Sequence, residues 1–102
     1  MSSELDYELY EGVSYKKKER SKYYSIRSPL PGRIYEVLVK EGDCVRSGQV
    51  VVIVECMKTL VEITIPKHID KGVVVWVKKC YDKPCVVQQN EELVRMRIDE
   101  EY

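Results

Sequence analysis

The sequence predicts an all-β protein built from short strands. Three observations lead there. β-Branched aliphatic residues crowd into short runs, such as Val50 to Val54 and Val73 to Val75. Between the runs lie clusters of turn-forming residues: Pro29-Leu30-Pro31-Gly32, Glu41-Gly42-Asp43 and Arg46-Ser47-Gly48. No segment repeats its apolar residues at the helical period. With 102 residues the chain has the length of one domain, and its 44% hydrophobic content is that of a globular one.

Residues 1–22 read as a charged, tyrosine-rich tail or arm. Acidic residues come first (Glu4, Asp6, Glu8, Glu11), then basic ones (Lys16, Lys17, Lys18, Arg20, Lys22). A run of this kind is a solvated tail or an arm that contacts a partner. The domain is expected over 23–98, and 99–102 form an acidic C-terminal tail. Tyr24 to Arg27 is a first strand, ended by the Pro-Gly turn. Arg33 to Val39 follows, then a very short strand at Cys44-Val45, then Val50 to Glu55. Leu60 to Ile65 alternates, with Val61, Ile63 and Ile65 on one face and Leu60, Glu62 and Thr64 on the other. Pro66 ends it, having no amide hydrogen for a ladder. Val73 to Val77 carries Trp76, the largest apolar side chain. Leu93 to Ile98 closes the set, with Leu93, Arg95 and Arg97 expected on one side and Val94, Met96 and Ile98 on the other.

The run from Val50 to Ile65 must reverse at Cys56-Met57-Lys58-Thr59. Tight hairpins favour Asn-Gly, Asp-Gly or another glycine pair at the tip. Met57 and Lys58 break that rule, and broken local rules gather at functional sites. The expectation is that the hairpin holds Lys58 out in solvent.

A weak internal repeat runs through the chain. The stretch from Val39 to Val51 lines up with Val77 to Leu93, the second copy carrying extra residues at Cys80 to Lys83. Each copy reads strand, turn, tiny strand, turn, strand. Lys58 falls near the junction of the two halves. The second copy has Pro84-Cys85 and Asn90-Glu91 where the first has Gly-Asp and Gly-Gln.

Composition narrows the function classes. Seventeen basic residues balance seventeen acidic ones, which disfavours nucleic acid as a global electrostatic partner. No apolar run is long enough to span a bilayer and no signal peptide opens the chain, so no membrane partner and a cytoplasmic location are expected. Cys44, Cys56, Cys80 and Cys85 lack zinc-site spacing and read as structural or incidental thiols, with no metal site. His68, the only histidine, sits in a polar loop and is expected to be simply exposed. No nucleophile, base or acid is arranged for catalysis, so no catalytic residue is expected.

The ordered set Pro29-Leu30-Pro31-Gly32, Val39-Lys40-Glu41-Gly42-Asp43, Gly48-Gln49 and Glu55-Cys56-Met57-Lys58 resembles the biotinyl domain of biotin-dependent carboxylases and decarboxylases, in the wider biotinyl/lipoyl attachment family. It covers about residues 25–98. The resemblance implies a flattened β-barrel, or barrel-sandwich hybrid, of two pseudo-symmetric four-stranded halves. It implies biotin joined covalently to Lys58 by a biotin protein ligase, with Glu55, Cys56, Met57 and Thr59 as the residues the ligase reads. The chain would then be a non-catalytic carrier that moves carboxyl between biotin carboxylase and carboxyltransferase subunits or domains. A lipoyl carrier bearing lipoate, and an unmodified interaction module, are the alternatives; Met57 before the lysine favours biotin over lipoate. Cys56 and Thr59 depart from the family pattern, which has a small Ala or Ser before the methionine and Met after the lysine. No room exists between Arg33 and Asp43 for the thumb found in many bacterial carriers.

Overall fold

The computed structural model describes the backbone of residues 20–100 and the side chains of residues 22–98. The tail expected before Tyr23 therefore lies, through residue 19, outside the described residues, as do residues 101–102. Eight strands follow one another: β1 (Arg20–Arg27), β2 (Gly32–Val37), β3 (Cys44–Arg46), β4 (Val50–Cys56), β5 (Thr59–Thr64), β6 (Lys71–Val77), β7 (Val86–Val87) and β8 (Glu92–Glu100). They form two four-stranded sheets, β1-β8-β6-β3 and β5-β4-β2-β7. Every pairing is antiparallel. Moving each strand four places along the chain turns one sheet order into the other, so the weak sequence repeat is a pseudo-twofold relation between sheets.

The ladder runs past the expected domain limits. Arg20 pairs with Glu100 and Ser21 with Asp99. Regular pairing continues there because β1 and β8 are joined along their whole length, not because the outer residues are apolar.

The two halves share their irregularities. A register shift falls between Ile34 and Glu36 in β2 against β4, and between Val74 and Trp76 in β6 against β8. An extra residue in one strand flips the alternation beyond it. That flip settles the place of Trp76. Val74 and Val77 are buried, while Trp76 turns to the outer face beside Arg95. A second shift between Ile26 and Arg27 leaves Leu93 opposite no partner and lets it point inward. Leu93 is thus buried beside Val94, which corrects the expectation that it shares a face with Arg95.

The core is aliphatic. Val45, Val51, Val52, Val54, Val87 and Val94 are fully buried, and Ile65, Leu93 and Met96 fill the remaining space. Each such side chain contributes about 1.5–3 kcal/mol by leaving water. Val61, Ile63 and Ile65 face this core while Leu60, Glu62 and Thr64 face out, as the alternation requires. Buried Ser28 keeps every polar group bonded: its amide donates to Glu91 O (2.9 Å), its carbonyl accepts from Asn90 N (2.7 Å), and its hydroxyl donates to Leu30 O (2.6 Å).

The turn that precedes the last strand of each half is repeated, with Asn90 in the place of Gly48. In the first half Gln49 N donates to Arg46 O (3.1 Å) and Arg46 N to Gln49 Oε1 (3.0 Å). In the second half Glu91 N donates to Gln88 O (3.1 Å) and Gln88 N to Glu91 Oε1 (2.8 Å). The cysteine expectation needs correction. Cys80 and Cys85 form a disulfide, and only Cys44 and Cys56 are free. The extra residues of the second copy make a loop whose ends lie within Cα distance of a bond, 5.5 Å; sequence spacing alone does not reveal that closure. Among the described residues no helix is long and apolar enough to cross a membrane.

Candidate functional site

The β4–β5 hairpin closes with a two-residue loop. Cys56 pairs with Thr59, leaving Met57 and Lys58 as the connection. Both lie in the left-handed region, with φ of 52° and 66°. Two consecutive positive φ values define the type I′ turn, which matches the twist of the strands it joins. Side chains with a Cβ pay for that conformation, on the order of 1 kcal/mol each. The strain is held in place by the β4–β5 ladder behind it.

The turn throws both side chains outward. Met57 is 91% exposed. Lys58 and Thr59 are also exposed, while Glu55 and Cys56 are half-buried at the strand end. No carboxylate among the described residues pairs with Lys58. The ammonium group is free of the ion pairs that occupy Arg33, Lys78, Lys79 and Arg95.

Two contacts fix the base of the hairpin. Arg33 reaches across from β2 to Glu55, with Nε and Nη2 at 2.7 and 2.6 Å from the same carboxylate oxygen. Gly32 sits beneath them. A Cβ there would collide with the Glu55 carbonyl oxygen and lie 3.0 Å from Val54 Cγ1. Only glycine allows β2 to lie this close to the end of β4. A groove of about 610 Å³ opens beside the tip, lined by Pro31, Gly32, Cys56, Met57, Lys58 and Val86 among others. The sequence places Gly32 in a turn and Arg33 at the start of a strand, and does not disclose their approach to Glu55. The signal was a glycine after Pro31 that began a strand where a turn was expected.

The tip and the first and last described strands lie in different sheets. Gly32 and Arg33 pair beside Glu55, so β2 starts at the hairpin end. β1 ends at Arg27, a four-residue turn away from Gly32. β1 starts seven residues earlier, roughly 23 Å off at 3.3 Å per residue, and pairs there with the last residues of β8.

The strand order, the pseudo-twofold repeat and a lysine at a strained hairpin tip now stand together. Residues 24–96 match the Biotin_lipoyl family, described as biotin-requiring enzyme. The chain belongs to this family. Over 31 residues it is 64% identical to a 2-oxoglutarate carboxylase large subunit of Hydrogenobacter thermophilus, covering 30% of this chain and 5% of that protein. Over 33 residues it is 52% identical to the methylmalonyl-CoA carboxyltransferase 1.3S subunit of Propionibacterium freudenreichii, covering 32% of this chain and 27% of that one. The chain thus spans a small part of both relatives. A solved single-chain, multi-domain long-chain acyl-CoA carboxylase has the same fold over 92% of this chain and 8% of its own, with TM-score 0.64 and 24% identity. That likeness bears on the fold, an all-β pair of four-stranded sheets.

His68 is exposed, with its ring edge-on to Tyr24 at 5.7 Å between centroids. Cys56 lies at the hairpin base, and Cys44 on the other sheet. Among the described residues no three His, Cys, Asp or Glu side chains gather as metal ligands would.

Proposed function

We propose that the chain is a biotin carboxyl carrier with biotin attached to Lys58. The observation that carries this is Lys58 itself: exposed, without an ion-pair partner among the described residues, and second in a type I′ turn at the tip of the β4–β5 hairpin. The family supplies the cofactor class. The lysine stem and the rigid hairpin beneath it suit a tether that visits separate active sites, replacing diffusion with high effective concentration.

The chain's own residues perform three tasks in this reading. The β4–β5 ladder holds the turn in its left-handed form, so Lys58 Nζ stands clear of the sheet. Attachment joins that nitrogen to the biotin carboxyl group in an amide, which removes the lysine charge. The Arg33–Glu55 pair and Gly32 keep the base of the hairpin in one place. Bound biotin supplies the capacity to accept and release a carboxyl group. Nothing in the hairpin is asked to act as acid, base or nucleophile; the chain carries and does not catalyse.

A biotin protein ligase is the partner that makes the modification. Glu55, Cys56, Met57 and Thr59 surround Lys58 and form the surface the ligase would read. Met57, almost fully exposed, offers it a flexible apolar contact. Biotin carboxylase and carboxyltransferase subunits or domains are the partners that load and unload the carrier. The proposal places the chain in the cytoplasm, a compartment whose thiol pool acts against the Cys80–Cys85 bond.

Coexpression with a biotin ligase tests the reading, followed by intact mass and streptavidin blotting of wild type and Lys58→Arg. The expected result is the mass of one biotin on wild type and none on Lys58→Arg. An unmodified wild type would overturn biotin attachment. A gain that persists in Lys58→Arg would place it on another residue, and a gain of lipoate mass would make the chain a lipoyl carrier.

A further inference from the structure

The two sheets carry opposite charge on their outer faces. On the β5-β4-β2-β7 sheet the outward residues of the strands include Glu36, Glu55 and Glu62, with Arg33 as the cation among the described residues. The β1-β8-β6-β3 sheet reverses this. Arg95 and Arg97 face outward from β8, Arg46 lies beside Lys71 on β3 and β6, and Arg27 ends β1. Among residues 22–98 Glu92 is the carboxylate on that face, held by Arg95 and Ser25, and the register sets Asp99, opposite Ser21, at the next position of the same alternation after Arg97. The chain's net charge is zero, so this separation arises from placement and not from composition.

The basic face also carries aromatic side chains, half-buried at Trp76 and exposed at Tyr23. Trp76 turns outward because of the register shift after Val74, and the Arg95 guanidinium lies 5.2 Å from its ring centroid. Tyr23, 63% exposed, lies in the row Tyr23, Arg97, Val73, Cys44 that crosses all four strands. Trp, Tyr and Arg are the residue types that dominate binding energy at protein interfaces.

We propose that the outer face of the β1-β8-β6-β3 sheet docks an acidic patch of a partner protein. Charge complementarity selects the partner's chemistry. Fixed cations within one Debye length, about 10 Å at 0.1 M salt, act together on such a patch. A protein partner fits better than nucleic acid. The face is partly apolar at Tyr23, Val73 and Trp76, and a phosphate backbone extending past its edge meets the carboxylates of the other sheet. The hairpin that bears Lys58 belongs to that other sheet, so a docked partner leaves the tip uncovered. The proposal does not depend on Lys58 being modified.

Trp76 is the only tryptophan, so its fluorescence reports this face directly. The full chain is titrated with short poly-L-glutamate as the probe, and amide shifts are mapped by NMR. The expected result is a saturable Trp76 change, weakened by salt, with shifts on β6 and β8. Arg46→Glu with Lys71→Glu should weaken binding at least tenfold. The same charge change at Lys79 and Lys83, in the loop after β6, should leave it within about twofold. If the first pair does not fold, Arg46→Gln with Lys71→Gln replaces it and should weaken binding in the same direction. Equal losses from both sites, shifts confined to β4 and β5, or no Trp76 response would overturn the proposal. So would tighter binding of an oligothymidylate than of poly-L-glutamate at the same ionic strength.

Discussion

Gly48 and Asn90 stand at the same step of the two halves, each with a left-handed backbone, φ 82° and 69°. Each donates its amide to a carbonyl of the strand or turn behind it: Gly48 to Ile65 O at 2.9 Å, Asn90 to Ser28 O at 2.7 Å. Asparagine is the residue other than glycine that visits this region at least cost. Gly48→Val should therefore lower unfolding free energy by about 1–2 kcal/mol and Asn90→Val by a similar amount. Asn90→Gly should change it by less than about 0.5 kcal/mol. Urea unfolding of the three variants measures this, and a large loss in Asn90→Gly would show that the asparagine side chain matters.

The hairpin tip should be stabilised by the residues its geometry prefers. Met57→Asn with Lys58→Gly fits a type I′ turn and should raise stability by about 1–2 kcal/mol. If Lys58 carries biotin as proposed, the same variant incorporates none. A drop in stability would mean that Met57 or Lys58 makes contacts that outweigh the strain.

Gly32 should tolerate no side chain. Gly32→Ala forces β2 away from the end of β4 and should cost about 1–3 kcal/mol. Because the clash is with the backbone at Glu55, amide exchange at Glu55 and Cys56 should rise more than at β6. Uniform loss of protection across both sheets would contradict a local cause.

Acid should act through Glu92. The two hydrogen bonds from Arg95, helped by Ser25, lower its carboxyl from 4.5 to about 2. The folded chain thus binds this proton more weakly than the unfolded chain. Its contribution to stability is complete above the ordinary carboxylate value and is lost as pH falls from about 4.5 towards 2. Glu91, lowered by the hydrogen bond from Lys78, acts in the same direction. Glu92→Gln should destabilise at pH 7 and flatten the stability curve below pH 4.5; an unchanged acid slope would remove Glu92 as its cause.

Thiol counting checks the loop after β6. Denatured without reductant, the chain should show two reactive thiols, from Cys44 and Cys56, and four after reduction. Replacing Cys80 and Cys85 by serine should cost at most about 2 kcal/mol, because the closed loop is short. Four thiols before reduction would exclude the bond.

Much of the fold was legible because its signals are local. Val61, Ile63 and Ile65 announce a buried face by alternation, and Pro66 announces its end. The hairpin was legible for the opposite reason, since Met57 and Lys58 contradict their turn. Other features depend on residues distant in sequence. Trp76 turns outward because of a register shift against β8, and Leu93 inward because of one against β1; alternation within either strand cannot report the partner's register. The Cys80–Cys85 bond depends on how the loop folds back. Arg33 meets Glu55 only once β2 and β4 lie side by side.

The pairing of Arg20 with Glu100 closes the β1–β8 ladder at one end, and that of Arg27 with Glu92 closes it at the other. A force that pulls Arg20 and Glu100 apart therefore meets the hydrogen bonds of this ladder one pair at a time, like the teeth of a zip. The Met57–Lys58 turn belongs to the other sheet, so it keeps its form while the outer pairs of β1 and β8 open.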